Sequence, residues 1–186
     1  MSTNTENYNM FDIRKIQEQV IFNAIRDESD DSTAQKIVKA DDEADPQWVS
    51  NTMHRLEEAF DPATVRKIRM NCQCGYGMDE KYALLKEIMA SSSSLEEFAA
   101  DARAAAAGMS YLDGYLYLQF PFCPCPIVAS VDKLETKTWC QCTTGYSKVL
   151  FEKAFGCEVD VELIKSIKAG DEICLMKIIP LGKIIF

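Results

Sequence analysis

The sequence lacks several features that common functions require. His54 is the only histidine among 186 residues, which excludes a two-histidine metal site and leaves a Ser-His-Asp hydrolase only if His54 supplies the base. No basic run exceeds two residues and the formal net charge is -9. Nucleic acids and anionic membranes bind basic surfaces, so neither is expected as a partner. No GxGxxG, P-loop or GxSxG motif occurs.

Long apolar runs are also missing. No segment reaches the ~18 apolar residues of a membrane span, and the first fifteen residues contain no apolar signal core. We therefore expect a cytoplasmic protein without a membrane partner, in a compartment where thiols stay reduced. Its eight cysteines then indicate metal binding, catalysis or burial as small apolar side chains, rather than a disulfide framework.

The pattern of the chain predicts an α+β fold, with a helical N-terminal half packed on an antiparallel sheet that carries one crossing helix. Residues 1–108 form the helical region and residues 109–186 the cysteine-rich sheet region of one compact unit. Asp-Pro pairs mark two helix starts, and Ser94 with Glu97 forms a capping box for a helix over 95–107. Strands are predicted at 114–123, 134–140, 157–167 and 172–180, and a helix at 143–156.

Six of the eight cysteines form three Cys-x-Cys pairs, which are Cys72/Cys74, Cys123/Cys125 and Cys140/Cys142. If residues 114–123 and 134–140 pair as a hairpin, one register places Cys123 opposite Cys142 and Cys125 opposite Cys140. Side chains alternate along a strand, so all four sulfurs would share one face. Pro124 and Pro126 oppose this register, because proline donates no ladder hydrogen bond; a knuckle-like turn there would also present both sulfurs.

An all-thiolate group favours a soft metal ion. Zinc is the first choice, and Cu(I) or an iron–sulfur centre are alternatives. The candidate metal ligands are Cys123, Cys125, Cys140, Cys142, Cys72 and Cys74. Nearby aromatic residues could line a ligand pocket, namely Tyr115, Tyr117, Phe122 and Trp139. Each of these side chains could equally belong to an ordinary core.

The end of the chain resembles a known family. The helix predicted to end at Gly156 is followed by the alternating Val-Asp-Val-Glu of 159–162, the Ala169-Gly170 turn and a strand with Cys174. Residues 114–180 in this way resemble the 4-vinyl reductase-like small-ligand-binding domain, and are similar to the L-2-amino-thiazoline-4-carboxylate hydrolase family. The resemblance implies a sheet with helices on one side around a small-molecule pocket, in modules that are often dimeric, with Cys174 in the core. The additional Cys-x-Cys pairs depart from the first family.

Two functions are therefore predicted. The first is a small-molecule or metal-binding module built around the cysteine pairs, for which a homodimer is one expected assembly. The alternative is a thiol-dependent hydrolase or reductase acting on a small sulfur or nitrogen compound. In the alternative, Cys123 or Cys140 is the nucleophile and the helix N-terminus at 143–145 lowers its pKa. A purely structural role for buried cysteines is the third possibility.

Overall fold

The computed structural model describes residues 12–39, 44–73, 75, 77–123 and 125–186. Eight α-helices and four strands are present in these ranges. The helices are α1 (Ile13–Glu28), α2 (Asp31–Val38), α3 (Asp45–Ala59), α4 (Pro62–Met70), α5 (Met78–Met89), α6 (Leu95–Ala100), α7 (Ala102–Ala106) and α8 (Gln141–Phe155). The strands are β1 (Met109–Leu112), β2 (Tyr115–Phe120), β3 (Val159–Lys165) and β4 (Cys174–Pro180).

Local capping explains where several helices begin and end. The Asp61 carboxylate accepts hydrogen bonds from the backbone N–H groups of Ala63 and Thr64, so α4 begins directly after it. A single helix over 95–107 was predicted, and this is wrong. Asp101 is extended, with ψ at 132°, and its carboxylate caps a new helix by accepting from the Arg103 N–H. The Asp101 side chain therefore begins a new helix at Ala102 instead of letting the preceding helix continue.

The four strands form one antiparallel sheet in the order β1-β2-β4-β3. With helices in the first half and the sheet in the second, the predicted α+β class is confirmed. Strand β1 was not predicted. It pairs with β2 through a two-residue turn at Asp113 and Gly114, both of which have positive φ (50° and 87°), as a tight hairpin requires. The Asp113-Gly114 pair is the local sequence signal from which this hairpin could have been predicted.

The predicted strand at 134–140 is wrong. This segment has no strand pairing and leads directly into α8. The Thr136 hydroxyl accepts the backbone N–H of Thr138 at 2.9 Å, and both threonine hydroxyls donate to the Glu57 carboxylate of α3. The threonine side chains thus form hydrogen bonds in a segment that has no strand partner, and they attach it to α3.

The buried side chains form two clusters. The sheet core lies between the inner face of the sheet and helices α5–α8; it includes Leu85, Phe98, Phe151, Phe155, Val161, Met176 and Ile178. The helical core lies among helices α1–α4 and residues 127–139; it includes Ile25, Trp48, Leu56, Ile68, Cys72, Val128 and Trp139. Thus the loop between β2 and α8 packs on helices α1–α4, whereas the sheet packs on helices α5–α8.

Helix α8 connects these regions because its first turns reach α4. A Cβ on Gly145 would lie 1.7 Å from the Met70 carbonyl oxygen, so only glycine permits this approach. Further along, Phe151 and Phe155 of the same helix lie in the sheet core. The contact at Gly145 brings the end of α4, with Arg69 and Cys72, next to the cysteines at the start of α8.

Candidate thiol site

The candidate site is assembled from three segments of chain. Cys123 and Cys125 lie on the loop that leaves β2, where neither helix nor strand is assigned. Cys140 is the N-cap of α8 and Cys142 lies in its first turn. Cys174 opens β4 directly opposite Phe120 of β2, which places it beside the strand that leads to Cys123.

Electrostatic interactions show that these thiols are neighbours. The pKa of the Cys140 thiol is raised to about 11, mainly by burial and to a smaller extent by Cys123, Cys174 and Cys125, while a hydrogen bond with Ser166 lowers it in part. The Ser166 hydroxyl donates to the Cys140 sulfur at 3.2 Å. The thiols of all three segments therefore lie within electrostatic range of Cys140.

Cys142 extends the group toward the N-terminal helices. The pKa of its thiol is raised to about 12, mainly by burial. The Arg69 charge lowers this pKa in part, and Cys125, Cys140 and Cys72 contribute to the rise. Burial also raises the pKa of Cys72, whose thiol donates to the Ile68 carbonyl at 3.0 Å. Cys72 is thus a buried neighbour on the far side of Cys142.

The loop thiols are held by two hydrogen bonds. The Trp139 indole N–H donates to the Cys125 sulfur at 3.4 Å. Burial raises the pKa of Cys123, and a hydrogen bond from the Cys125 backbone opposes that increase.

Two cations lie beside the thiols. Arg69 is fully buried, its Nη2 donates to the Trp139 carbonyl at 2.8 Å, and its guanidinium carbon lies 4.5 Å from the centre of a Trp139 ring. Lys168 is 6% exposed, and its ammonium donates to the Val131 carbonyl. Burial raises the pKa of both Cys142 and Cys123, and the charges of Arg69 and Lys168 respectively oppose part of that rise.

The structure places most of the predicted cysteines in one region of the molecule, but neither in the predicted geometry nor, among the described residues, as a group that could hold a metal ion. The predicted hairpin register is wrong, because Cys140 and Cys142 lie at the start of a helix rather than on a strand. Cys74 lies outside the described residues. Three members of the site were not predicted, namely Cys174, Arg69 and Lys168. Cys174 had been assigned to the core, and it is indeed only 8% exposed, but the β2–β4 pairing also makes it a neighbour of the loop.

The four predicted pocket residues do not line a common cavity. Tyr115 and Tyr117 alternate with the buried Leu116 and Leu118, so they occupy the outer face of the sheet. Phe122 is 60% exposed, and Trp139 is buried in the helical core against Trp48, at 5.8 Å between ring centres. A recess of about 450 Å³ does lie near the start of α8, lined by Glu57, Phe60, Pro62, Val65, Arg66, Thr138 and Gln141.

The arrangement is not a closed coordination shell. Among the described residues, no three histidine, cysteine or carboxylate side chains are grouped so as to hold a metal ion as they stand. The only histidine, His54, is exposed on α3, with its Nε2 2.6 Å from the Glu135 carboxylate. The thiols therefore lie near one another without forming a closed site. Two of them are on the loop after β2, and the others lie at the ends of helices or strands.

A protein-family model matches nearly all of the chain. The model of a family of unknown function (DUF6144) matches residues 10–185. The chain belongs to this family. The match to DUF6144 includes every cysteine of the site described above. No curated protein matches the chain, and no solved structure does. In the part of the DUF6144 fold that the structure describes, no helix is long and apolar enough to cross a membrane.

Proposed function

We propose that this protein binds a soft metal ion, zinc in the first place, through the thiolates of Cys123, Cys125, Cys140 and Cys142. The observation that carries the proposal is that both Cys-x-Cys pairs, 15 residues apart in the chain, meet beside the N-terminus of α8. Sulfur is the ligand type that zinc, Cu(I) and iron–sulfur centres prefer. Cys174 stands beside the four as a neighbour or substitute ligand.

The protonation chemistry supports a metal rather than a nucleophile. A thiol nucleophile needs a lowered pKa, whereas burial raises that of Cys140 to about 11 despite its place at a helix N-terminus. The same holds for Cys142, at about 12. Free thiols at these positions are protonated and unreactive at neutral pH. A bound cation overcomes this because it replaces the protons and its charge stabilises the thiolates.

Metal binding would bring the four sulfurs together by moving the loop that carries Cys123 and Cys125, while α8 stays in place. Cys140 and Cys142 are fixed by α8, which packs on α4 at Gly145. Cys123 and Cys125 lie on a segment without helix or strand, held by the Trp139 indole and a backbone hydrogen bond. Bringing the four sulfurs to one centre would require this loop to shift toward α8.

Titration with Co²⁺ tests this proposal, because four thiolates around Co²⁺ give intense visible and near-ultraviolet bands. We expect one Co²⁺ per chain in the reduced, metal-free protein, displaced by Zn²⁺. Cys140→Ser should abolish the tetrathiolate spectrum. Cys157→Ser is the matched control, because Cys157 packs beside the sheet core, away from the site. The proposal fails if the wild-type protein gives no thiolate–cobalt bands, or if both variants behave alike.

A further inference from the structure

The two edge strands of the sheet, β1 and β3, differ in how their outward backbone groups are satisfied. At the β3 edge, the Glu158 carbonyl accepts the Leu181 N–H at 2.8 Å, which fixes the positions that bond to the segment of β4. Bonded and unbonded positions alternate along an antiparallel pair. The N–H and C=O groups of Val159 and Val161 therefore point away from β4, toward the outside of the sheet.

All four of these outward groups are hydrogen-bonded to charged side chains. The bonds run from Lys148 to the Val159 carbonyl (2.6 Å), from the Val159 N–H to Glu152 (3.2 Å), from Arg66 to the Val161 carbonyl (3.0 Å) and from the Val161 N–H to Asp160 (2.9 Å). A bulge between Leu163 and Lys165 interrupts the regular ladder further along. The β3 edge is thus protected against the addition of another strand.

Strand β1 lacks this protection. The Gly108 carbonyl accepts the Gln119 N–H at 2.9 Å, so by the same alternation Met109 and Tyr111 carry the outward groups of β1. In the part of the chain that the structure describes, no hydrogen bond reaches those groups. The strand also contains no charged residue, proline or bulge, which are common means of blocking an edge. Its backbone is therefore open to one more strand.

Exposed apolar side chains surround this open edge. Tyr111 is 38% exposed, Leu112 is 58% exposed, and Tyr115, which lies opposite Leu112 on β2, is 37% exposed. Contiguous apolar surface of this kind marks an interaction site. Two copies of a chain with a formal net charge of -9 repel each other least through an uncharged surface. The composition of β1 therefore favours a second copy of this chain as its partner.

We propose that β1 is the interface of a homodimer, in which two β1 strands pair antiparallel and join two four-stranded sheets into one of eight strands. The register that uses every outward group places Met109 of each copy opposite Tyr111 of the other, with four backbone hydrogen bonds. The two Ser110 residues then face each other on a two-fold axis, the commonest symmetry of oligomers. The two Asp113 carboxylates lie about 20 Å apart, beyond the screening length of about 8–10 Å.

Sedimentation velocity on the metal-free, reduced protein tests this proposal. A strand of four residues and a small apolar patch predict a weak dimer, so the protein is measured from about 1 to about 500 µM. We expect a reversible shift from monomer to dimer within this range. A protein that stays monomeric throughout overturns the proposal, and would leave the β1 edge to an extended segment of a different protein.

Two substitutions should break the dimer without disturbing the hairpin. Ser110→Lys places two like charges face to face on the axis, and should raise the dimer dissociation constant about tenfold or more. Tyr111→Pro removes an outward N–H that β2 does not use, and should have the same effect. Ser32→Lys, on the exposed surface of α2, is the control for the added charge and should dimerise like wild type.

A cross-link gives a positive readout of the register. Opposed residues at a non-hydrogen-bonded position have Cα atoms about 4.5 Å apart, a separation that a disulfide spans. Mild oxidation should therefore convert Ser110→Cys into a covalent dimer that reductant separates. Wild-type protein and Glu162→Cys, which places an exposed thiol on β3, are the controls and should remain unlinked.

These outcomes separate the β1 interface from other modes of association. A dimer that persists in Ser110→Lys, with no cross-link in Ser110→Cys, uses another surface and overturns the proposal. A dimer that is lost in Ser110→Lys, retained in Ser32→Lys and cross-linked in Ser110→Cys supports it. None of these measurements involves a metal ion, so the dimer and the metal-binding function can fail independently.

Discussion

The sheet core and the helical core are built from different chemistry. The sheet core is formed by aliphatic and phenylalanine side chains, with Phe98, Phe151 and Phe155 in edge-on or tilted contact. The helical core contains both tryptophans, the buried Cys72 and the adjacent charge of Arg69. Apolar packing needs no partner to be stable, whereas buried thiols and cations gain from a ligand. Under the proposed function, this difference predicts that ligand binding depends on the helical core and not on the sheet core.

The sharpest way to test this difference is to remove one large aromatic from each core. Trp139→Ala should destabilise the protein by about 3–5 kcal/mol, because it removes the edge contact with Trp48 and the ring beneath Arg69. Phe155→Ala should cost a similar amount. Urea unfolding measures both. Only Trp139→Ala should weaken Co²⁺ binding, since its indole also holds Cys125. Equal loss of Co²⁺ binding in Phe155→Ala would show that the two cores do not differ in function.

Alkaline pH should destabilise the metal-free protein through the helical core. The folded pKa of Cys142 is about 12, against 9.0 for an ordinary thiol. Stability from this group is therefore complete below pH 9 and is lost as the pH rises toward 12, by at most about 4 kcal/mol. Cys142→Ala should flatten this decline in urea midpoints measured with chelator present. Cys157→Ala, with its thiol beside the sheet core, should retain the wild-type slope; parallel slopes for all three proteins would count against the buried Cys142 thiol.

The junction between the two cores is expected to be intolerant of one methyl group. Gly145→Ala places a Cβ against the Met70 carbonyl, and should cost about 1–3 kcal/mol by overpacking. An unhindered helical site would instead gain up to about 1 kcal/mol from the same change. Thr143→Ala in the same turn is the control and should stay within about 0.5 kcal/mol. Thermal unfolding distinguishes these signs, and a stabilised Gly145→Ala protein would contradict the close approach.

The smallest effect is expected on the outer face of the sheet, away from both cores. The Lys177 ammonium lies 3.5 Å from the centre of the Tyr115 ring. A double-mutant cycle with Lys177→Ala and Tyr115→Leu should give a coupling of about 0.5–1 kcal/mol in stability. Neither change should alter Co²⁺ affinity. An effect on metal binding would connect this face to the thiol site.

Local signals in the sequence predicted much of the fold. Helix starts at Asp61 and Ser94 and the end of α8 at Gly156 follow from capping and from glycine in the left-handed conformation. The fold class follows from the order of these elements. A strand was predicted at 134–140 from the local residue types, but its threonines bond to Glu57, which lies 79–81 positions earlier in the chain. Sequence patterns cannot reveal such distant competition for hydrogen bonds.

The candidate site shows the same limit. The cysteine pairs could be identified as a group, because their spacing is visible in the sequence, although the geometry proposed for them was wrong. Cys174 joins them only because β4 pairs with β2, more than fifty residues away in the chain. Arg69 and Lys168 carry no sequence signal at all. Both side chains are buried, which depends on the complete tertiary structure.

The order of the sheet has a consequence for synthesis on the ribosome. Strand β4 is the last to be translated, yet it lies between β2 and β3 and supplies the only strand neighbour of β3. Until β4 emerges, β2 has one open edge and the strand beginning at Val159 has no partner. Cys174 arrives with the same segment. Nascent chains should therefore keep their sheet open, and Cys174 absent from the thiol site, until β4 has left the exit tunnel.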